Sequence, residues 1–349
     1  MVENKFRKGM QVIITGTLDF GFNPNFEREA SVVDRLTPHI RSVVPEFLSK
    51  RVKMRSSEID FYRACMKDSR ELTDEDRAAM VNQAAKSPYQ NILITHGIAE
   101  IAKTKKYFEA HAKQLEGKVI GIVGSRMPLV AHCSDAGFML GYATARLQAY
   151  QPSKEIHSFH PDVVRDSVQN AFSDTVVLIT GGTIDSCFNE AVDTSRPYEH
   201  SQIPSYFRDV IGVDVPEENG VFREICMKDS RELTRRDIHN LLEESRRNGH
   251  KRQIITAGTY ALPDLAGRFA HELEKGNLPE TEYGFIGSMF PEDVRLNDGW
   301  FNLGFIMGKM DLLEKKVHVS MHGWATSPVN VLKQLQEARF DLHDYKLRV

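Results

Sequence analysis

CMKDSRELT occupies Cys65 to Thr73 and returns unchanged as Cys226 to Thr234. Nine identical residues twice in a chain of 349 are too many for chance, so the fold has to be sought as two copies of one unit. Working outward from that stretch, VIITGTLD (Val12 to Asp19) lines up with LITGGTID (Leu178 to Asp185) at an offset of 166. ILITHG, ending at Gly97, matches IITAG, ending at Gly258, at an offset of 161. GSRMPLVAHCSDAGFMLG from Gly124 matches GSMFPEDVRLNDGWFNLG from Gly287 without a gap over eighteen residues, and EIHSFH pairs with VHVSMH. The division falls near the polar stretch from Asp162 to Asp174, giving domains over residues 1–165 and 172–349.

The second unit sets out the fold class. Its apolar runs are TVVLIT, EICM, QIITA, YGFIG and VHVSM, each bounded by Gly, Ser or Asp, as buried parallel strands are. Between them, LTRRDIHNLLEESRR and LPDLAGRFAHELE place apolar residues three and four positions apart, the helical period. Thr234 is the expected N-cap of the first of these helices, with an acid three residues later. Five strands interleaved with such helices predict two tandem doubly wound, three-layer α/β domains (flavodoxin or Rossmann-like) with parallel sheets.

Composition narrows the function. A net charge of −3 without a basic block leaves no footprint for nucleic acid or an anionic membrane. The N-terminal residues run straight into QVIIT, which reads as a core strand rather than a signal sequence, and no apolar stretch nears the roughly 20 residues of a membrane span. Cys65, Cys133, Cys187 and Cys226 lack CxxC spacing, so reduced, buried thiols in a cytoplasmic protein are expected. His318 and His322 have no third partner at sensible spacing, so no metal site is expected.

In a doubly wound sheet, chemistry gathers after the carboxyl ends of the strands. There the second unit carries GGTIDS, KDSRE, GTYALPD, GSMFPED and HGWATSP, which are groups suited to a small polar ligand. The ordered series GGTID, MKDSRELT, ITAGTY, GSMFP with NDGWFNLG, and VSMHGW followed by Lys333 and ARFD resembles the asparaginase family, most closely its compact members without a C-terminal domain. The resemblance implies hydrolysis of a side-chain amide through a covalent acyl-enzyme, with no metal or organic cofactor. Carried over by motif, Thr183 is the nucleophile and Tyr198, on the loop after it, its activator; Thr259 and Lys333 form the other catalytic group. Ser230 would hold the substrate carboxylate, and Glu232 stands where the family binds the amino group; Gly182, Asp229, Gly258 and Tyr260 complete the substrate-binding set. A threonine hydroxyl needs such help, because it is a poor nucleophile at its free pKa.

The resemblance breaks at one point. Where the family has Thr followed by Asp, this chain has Thr259 followed by Tyr260, and a phenol, uncharged at neutral pH, gives a substrate ammonium no ionic partner. In the first unit Thr17 and Ser69 persist, but Ile98 and Ala99 replace the second threonine and the acid, so that unit is expected to be catalytically dead. The partners expected are a small amide or amino-acid-like ligand and, within the chain, a pseudo-dimer of the two units, with a homo-oligomer left open. The alternative reading is a non-catalytic relative that binds an amino-acid-like ligand or serves as an assembly scaffold.

Overall fold

The computed structural model describes residues 6–22, 36–38, 41–153, 155–189, 194–215, 220–313 and 316–328. In the first half, β1 (Arg7–Ile14) leads into a ribbon of β2 (Phe20–Phe22) and β3 (Leu36–Pro38), then a short α1 (Val44–Glu46) continued by a π-helical turn over Phe47–Arg51. There follow β4 (Ile59–Arg63), α2 (Asp74–Lys86), β5 (Tyr89–Thr95), α3 (Ile101–Ala110), β6 (Val119–Val123), α4 (Ala136–Ala149), β7 (Ile156–Phe159) and α5 (Pro161–Ala171). The second half runs β8 (Thr175–Gly181), a ribbon of β9 (Ser186–Asn189) and β10 (Thr194–Pro197), and α6 (Ile203–Ser205) with its own π-helical turn over Tyr206–Ile211. It continues through β11 (Phe222–Lys228), α7 (Arg235–Arg247), β12 (Arg252–Thr256), α8 (Leu262–Glu274), β13 (Glu282–Ile286), α9 (Gly299–Lys309), β14 (Val317–Met321) and β15 (Trp324–Thr326).

The two sheets have the same order, β4-β1-β5-β6-β7 and β11-β8-β12-β13-β14, with β15 added antiparallel to the edge of the second. All other neighbours within these sheets are parallel. The expected doubly wound class is therefore the observed one. Strand order reverses direction beside the first strand of each half, which opens a crevice at the carboxyl ends between β1 and β5 and again between β8 and β12. Thr234 caps α7 as expected, in a capping box with Asp237. The polar stretch near which the halves divide falls largely in the helix α5, where Val164 and Val168, four apart, turn one face inward, and Phe172 beyond them stacks edge-on against Phe207 and Phe222. No helix among the described residues is long and apolar enough to cross a membrane.

Alternation along the strands divides the core into three. Val176, Leu178 and Ile255 face one way and pack with α7 and α8, whereas Val177, Ile179 and Ile254 face the other. In the first half Ile13, Ile92 and Ile94 join α2 and α3, while Val12, Ile14 and Leu93 face inward. The two outer cores belong to one half each. The inner core is shared, running from Met10 and Val12 through α4, α5 and α9 to Met310. The protein is thus layered as helices, sheet, central helices, sheet, helices.

Helices α4 and α9 form the middle of that stack and are buried almost all round, since each lies between its own sheet and the other helix. Their approach is set by glycine. A Cβ on Gly141 would stand 2.0 Å from the carbonyl oxygen of Phe301, and one on Gly304 would stand 2.1 Å from that of Phe138. Gly141 and Gly304 differ by 163, as do Phe138 and Phe301, so the same two contacts are made in reciprocal sense. Around them Tyr206 stacks flat on Trp300 at 3.6 Å and donates its hydroxyl to the Ser134 carbonyl, and Arg146 pairs with Asp311.

This contact tolerates no side chain. Gly304→Ala should force the helices apart and destabilise the protein by about 2–4 kcal/mol, at or above the usual range for overpacking. Gly267→Ala, on α8 where a Cβ meets nothing within 4 Å, should instead stabilise by about 0.5–1 kcal/mol through helix propensity. Urea denaturation of the two variants checks this; equal shifts would show that the seam is not held by backbone contact.

Candidate functional site

The ends of three neighbouring strands meet at the crevice between β8 and β12. Gly181 and Gly182 have φ of 86° and 79°, and a Cβ on Gly182 would lie 2.3 Å from the Gly258 nitrogen, so only glycine lets the β8 and β12 loops touch. A Cβ on Gly258 would in turn lie 2.5 Å from the Ser230 hydroxyl, which brings in the end of β11. Gly182, Gly258 and Ser230, all chosen from sequence, are therefore neighbours in space. Thr183 opens the turn Thr183–Asp185 next to them and is half-buried, as is Thr259. The Thr259 methyl lies 3.5 Å from where a Cβ on Gly287, after β13, would stand. Lys333 lies outside the described residues.

Tyr260 is 52% exposed, and the Arg231 guanidinium lies 5.8 Å from its ring centre. Glu232 is exposed on the turn Ser230–Glu232. Tyr198 has its backbone N–H on the Asp185 carbonyl and donates its hydroxyl to Glu292 Oε2 at 3.0 Å. Burial and the Glu292 charge push this phenol well above its ordinary range. In that arrangement Tyr198 is a proton donor and not a base.

The repeated MKDSRELT has the same structural work in both halves. Lys228 Nζ lies 2.9 and 2.8 Å from the Asp237 carboxylate oxygens, and Lys67 lies 3.0 and 2.7 Å from those of Asp76. Asp229 and Asp68 accept from the backbone and guanidinium of Arg231 and Arg70, and Thr234 and Thr73 close capping boxes on α7 and α2. Cys226 and Cys65 donate to the Thr180 and Thr15 carbonyls at 3.5 Å, and burial pushes both thiols up to about 11, so neither is a thiolate at neutral pH. The motif ties a strand end to the following helix, whichever half it is in.

Four buried carboxylates that sequence reading passed over do similar work. Asp185 accepts from the Ser201 hydroxyl and the Gln202 amide, and Asp19 accepts from the Ser42 hydroxyl and the Val43 amide. Asp298 accepts from Ser288, Met289 and Phe290, and Asp135 accepts from the Arg126 and Met127 amides. Burial pushes Asp185 and Asp298 each up to about 6 against these donors. Their signal was present in the aligned TLD and TID and in SDAG and NDGW, where the acid recurs at the same offset.

The first half has the same strand-end arrangement with different surroundings. Ser69 is 2% exposed, whereas Ser230 is half-buried. A Cβ on Gly97 would meet the Ser69 hydroxyl at 2.4 Å and the Thr17 methyl at 2.8 Å. The Thr17 hydroxyl donates to the Lys67 carbonyl, while that of Thr183 has no partner among the described residues. His96, in the place of Ala257, is fully buried between the Gly97 carbonyl and Thr104, and burial pushes it down to about 4, so it is neutral. The expectation of buried thiols needs correction: Cys133 is exposed and the other three cysteines are half-buried, the repeated pair because Cys226 lies near the end of the edge strand β11 and Cys65 just beyond the edge strand β4.

The Lys228–Asp237 pair has a pH signature. Burial raises the Asp237 pKa, but Lys228 and the Thr234 hydroxyl and amide more than offset this and hold it at about 2. Its unfolded pKa is near 3.9, so its contribution is complete above about pH 4 and is lost as pH falls through about 2. The melting temperature of the native chain should therefore fall more steeply between pH 5 and pH 2 than that of Asp237→Asn, and the two should converge near pH 2. A constant gap over that range would exclude the depressed carboxylate.

No protein-family model matches the chain, and no characterised protein matches it by sequence. Among solved structures it is similar to the thermostable L-asparaginase from Thermococcus kodakarensis, at 19% identity and a TM-score of 0.33, covering 44% of this chain and 45% of that one. It is also similar to L-asparaginase I from Vibrio cholerae O1 biovar eltor, at 14% identity and a TM-score of 0.35, covering 44% of this chain and 46% of that one. The chain thus spans under half of the length of each.

Proposed function

We propose that this protein is an amidohydrolase of the asparaginase type whose working site lies in the second half, with Thr183 as the nucleophile. The observation that carries the reading is the meeting of Gly182–Thr183, Gly258–Thr259 and Ser230 at the strand-order switch point between β8 and β12, where doubly wound sheets bind their ligands. The Thr183 hydroxyl adds to the amide carbon, and the proton it loses passes to the group formed by Thr259 and Lys333. Backbone N–H groups after β8 and β12 stabilise the tetrahedral oxyanion. Ammonia leaves with a proton from that group, and water then hydrolyses the resulting ester.

On this reading Tyr260 sets the substrate. With Arg231 beside it in place of a carboxylate, the site favours a small carboxamide whose α-amino group is absent or substituted over free asparagine. The two like halves are read as a tandem duplication in which the first has become the second's intramolecular partner. One observation favours the non-catalytic alternative: the Tyr198 hydroxyl is engaged by Glu292, so activation of Thr183 by Tyr198 requires that bond to be exchanged.

Calorimetric titration with asparagine, aspartate and glutamine, followed by an ammonia-release assay over a panel of N-acylated and deamino amides, tests the proposal. Thr183→Ala should lower turnover by several orders of magnitude, while Thr17→Ala should leave it within about twofold. Binding without turnover on every amide would establish the ligand-binding alternative. Tyr260→Asp should raise kcat/KM for free asparagine at least about tenfold, since an ammonium then gains a charge-assisted partner. Efficient asparagine turnover by the unaltered chain, with no gain from Tyr260→Asp, would overturn the account of substrate choice.

A further inference from the structure

A second group of chemically able side chains lies on the seam. His132 and Cys133 come from the loop before α4, and Glu292 comes from the corresponding loop before α9. One ligand atom from each lies within 4.8 Å of the other two. His132 and Cys133 are exposed and Glu292 is half-buried, and all three line a cavity of about 230 Å³ that also has Phe47 and Trp300 in its walls. We propose that His132, Cys133 and Glu292 bind a divalent transition metal of the zinc type, bridging the two halves of the chain.

The donor set argues for the class of ion. A thiolate, an imidazole and a carboxylate together suit zinc or cobalt, whereas magnesium and calcium take oxygen ligands alone. The geometry is close to what such an ion needs. Cys133 Sγ stands 3.4 Å from His132 Nδ1, and bonds of about 2.3 and 2.05 Å at a tetrahedral angle separate sulfur from nitrogen by about 3.6 Å. Glu292 has to close by about 1 Å, within reach of a small change in a flexible side chain. Three protein ligands leave the fourth position to water or to a ligand entering from the cavity, as in an open rather than a structural site.

The bland reading is a thiol–imidazole hydrogen bond between sequence neighbours. It does not explain why a cysteine is there. Cys133 has φ of 54° and Leu296, its counterpart 163 residues on, has φ of 60°, so the left-handed turn belongs to the loop and is made equally by leucine. Nor does packing call for it, since the side chain is exposed. Binding releases the thiol proton to solvent and leaves a thiolate on the metal. Because Glu292 also accepts the Tyr198 hydroxyl, an ion here would adjoin the loop that follows Thr183; that consequence alone rests on the proposed function.

The test uses the full chain, free of any tag, stripped with chelator and kept reduced. Titration with cobalt chloride should give one equivalent of tight binding with a thiolate-to-cobalt charge-transfer band, and zinc chloride should displace it. Cys133→Ser should abolish the band and weaken zinc binding about 100-fold or more, and His132→Ala and Glu292→Gln about 10-fold or more each, judged by competition with a chelating dye. Zinc should raise the melting temperature of the native chain and not that of Cys133→Ser, and magnesium should raise neither. Because His132 and Cys133 are exposed, the metal-free Cys133→Ser and His132→Ala variants should melt with the metal-free native chain. Absence of the charge-transfer band, or zinc affinity unchanged in Cys133→Ser, would overturn the site.

Discussion

The close backbone contact between α4 and α9 is the constraint on which the rest of the architecture depends. With Gly141 beneath the Phe301 carbonyl and Gly304 beneath that of Phe138, the helices approach until main chains touch, and the side chains around them fill one core shared by both halves. Each sheet then needs only its own outer helices to bury its other face. The same contact brings the loop holding His132 and Cys133 alongside the loop holding Glu292, since each immediately precedes one of the two central helices.

Retention of MKDSRELT in both halves follows from mechanics rather than from catalysis. The lysine and the capping aspartate pair across a strand-to-helix turn, and the first aspartate folds onto the arginine two residues later, in Lys228–Asp237 and Lys67–Asp76 alike. The exposed aspartate–arginine pairs contribute little singly, whereas the part-buried lysine–aspartate pairs, coupled to a capping box, define the entry of a helix into the sheet. The aspartates of TLD and TID, and of SDAG and NDGW, likewise satisfy backbone N–H groups that the strand-end loops would otherwise leave unpaired. These motifs therefore do the same structural work in both halves.

What distinguishes the two crevices is small. Glycines, a serine and a threonine recur at both, yet Ser69 is covered and Ser230 is not, and Ile98 stands where the second half has Thr259. Isoleucine fills space and offers no donor, and Gly124 beneath it would set a Cβ 2.9 Å from its methyl. Ile98 and Thr259 are both half-buried, so the two crevices differ there in the hydrogen-bonding groups they offer rather than in burial.

Much of the fold was legible in the sequence, because strand and helix patterns are set by residues within a few positions of one another. The helix expected over LPDLAGRFAHELE is found at Leu262–Glu274, the Thr234 cap is in place, and the apolar runs are the strands of a doubly wound sheet. The juxtaposition of Gly182, Gly258 and Ser230 was legible too, since parallel order puts all strand ends on one side. The rest was decided by packing between residues far apart in the chain. That α5 is a helix packed into the shared core, that Tyr198 is held by Glu292 94 residues away, and that Cys133 faces solvent beside Glu292 all depend on how two sheets dock through α4 and α9. No local period encodes such a docking; it follows from a pair of glycines whose missing side chains matter only once the other helix is present.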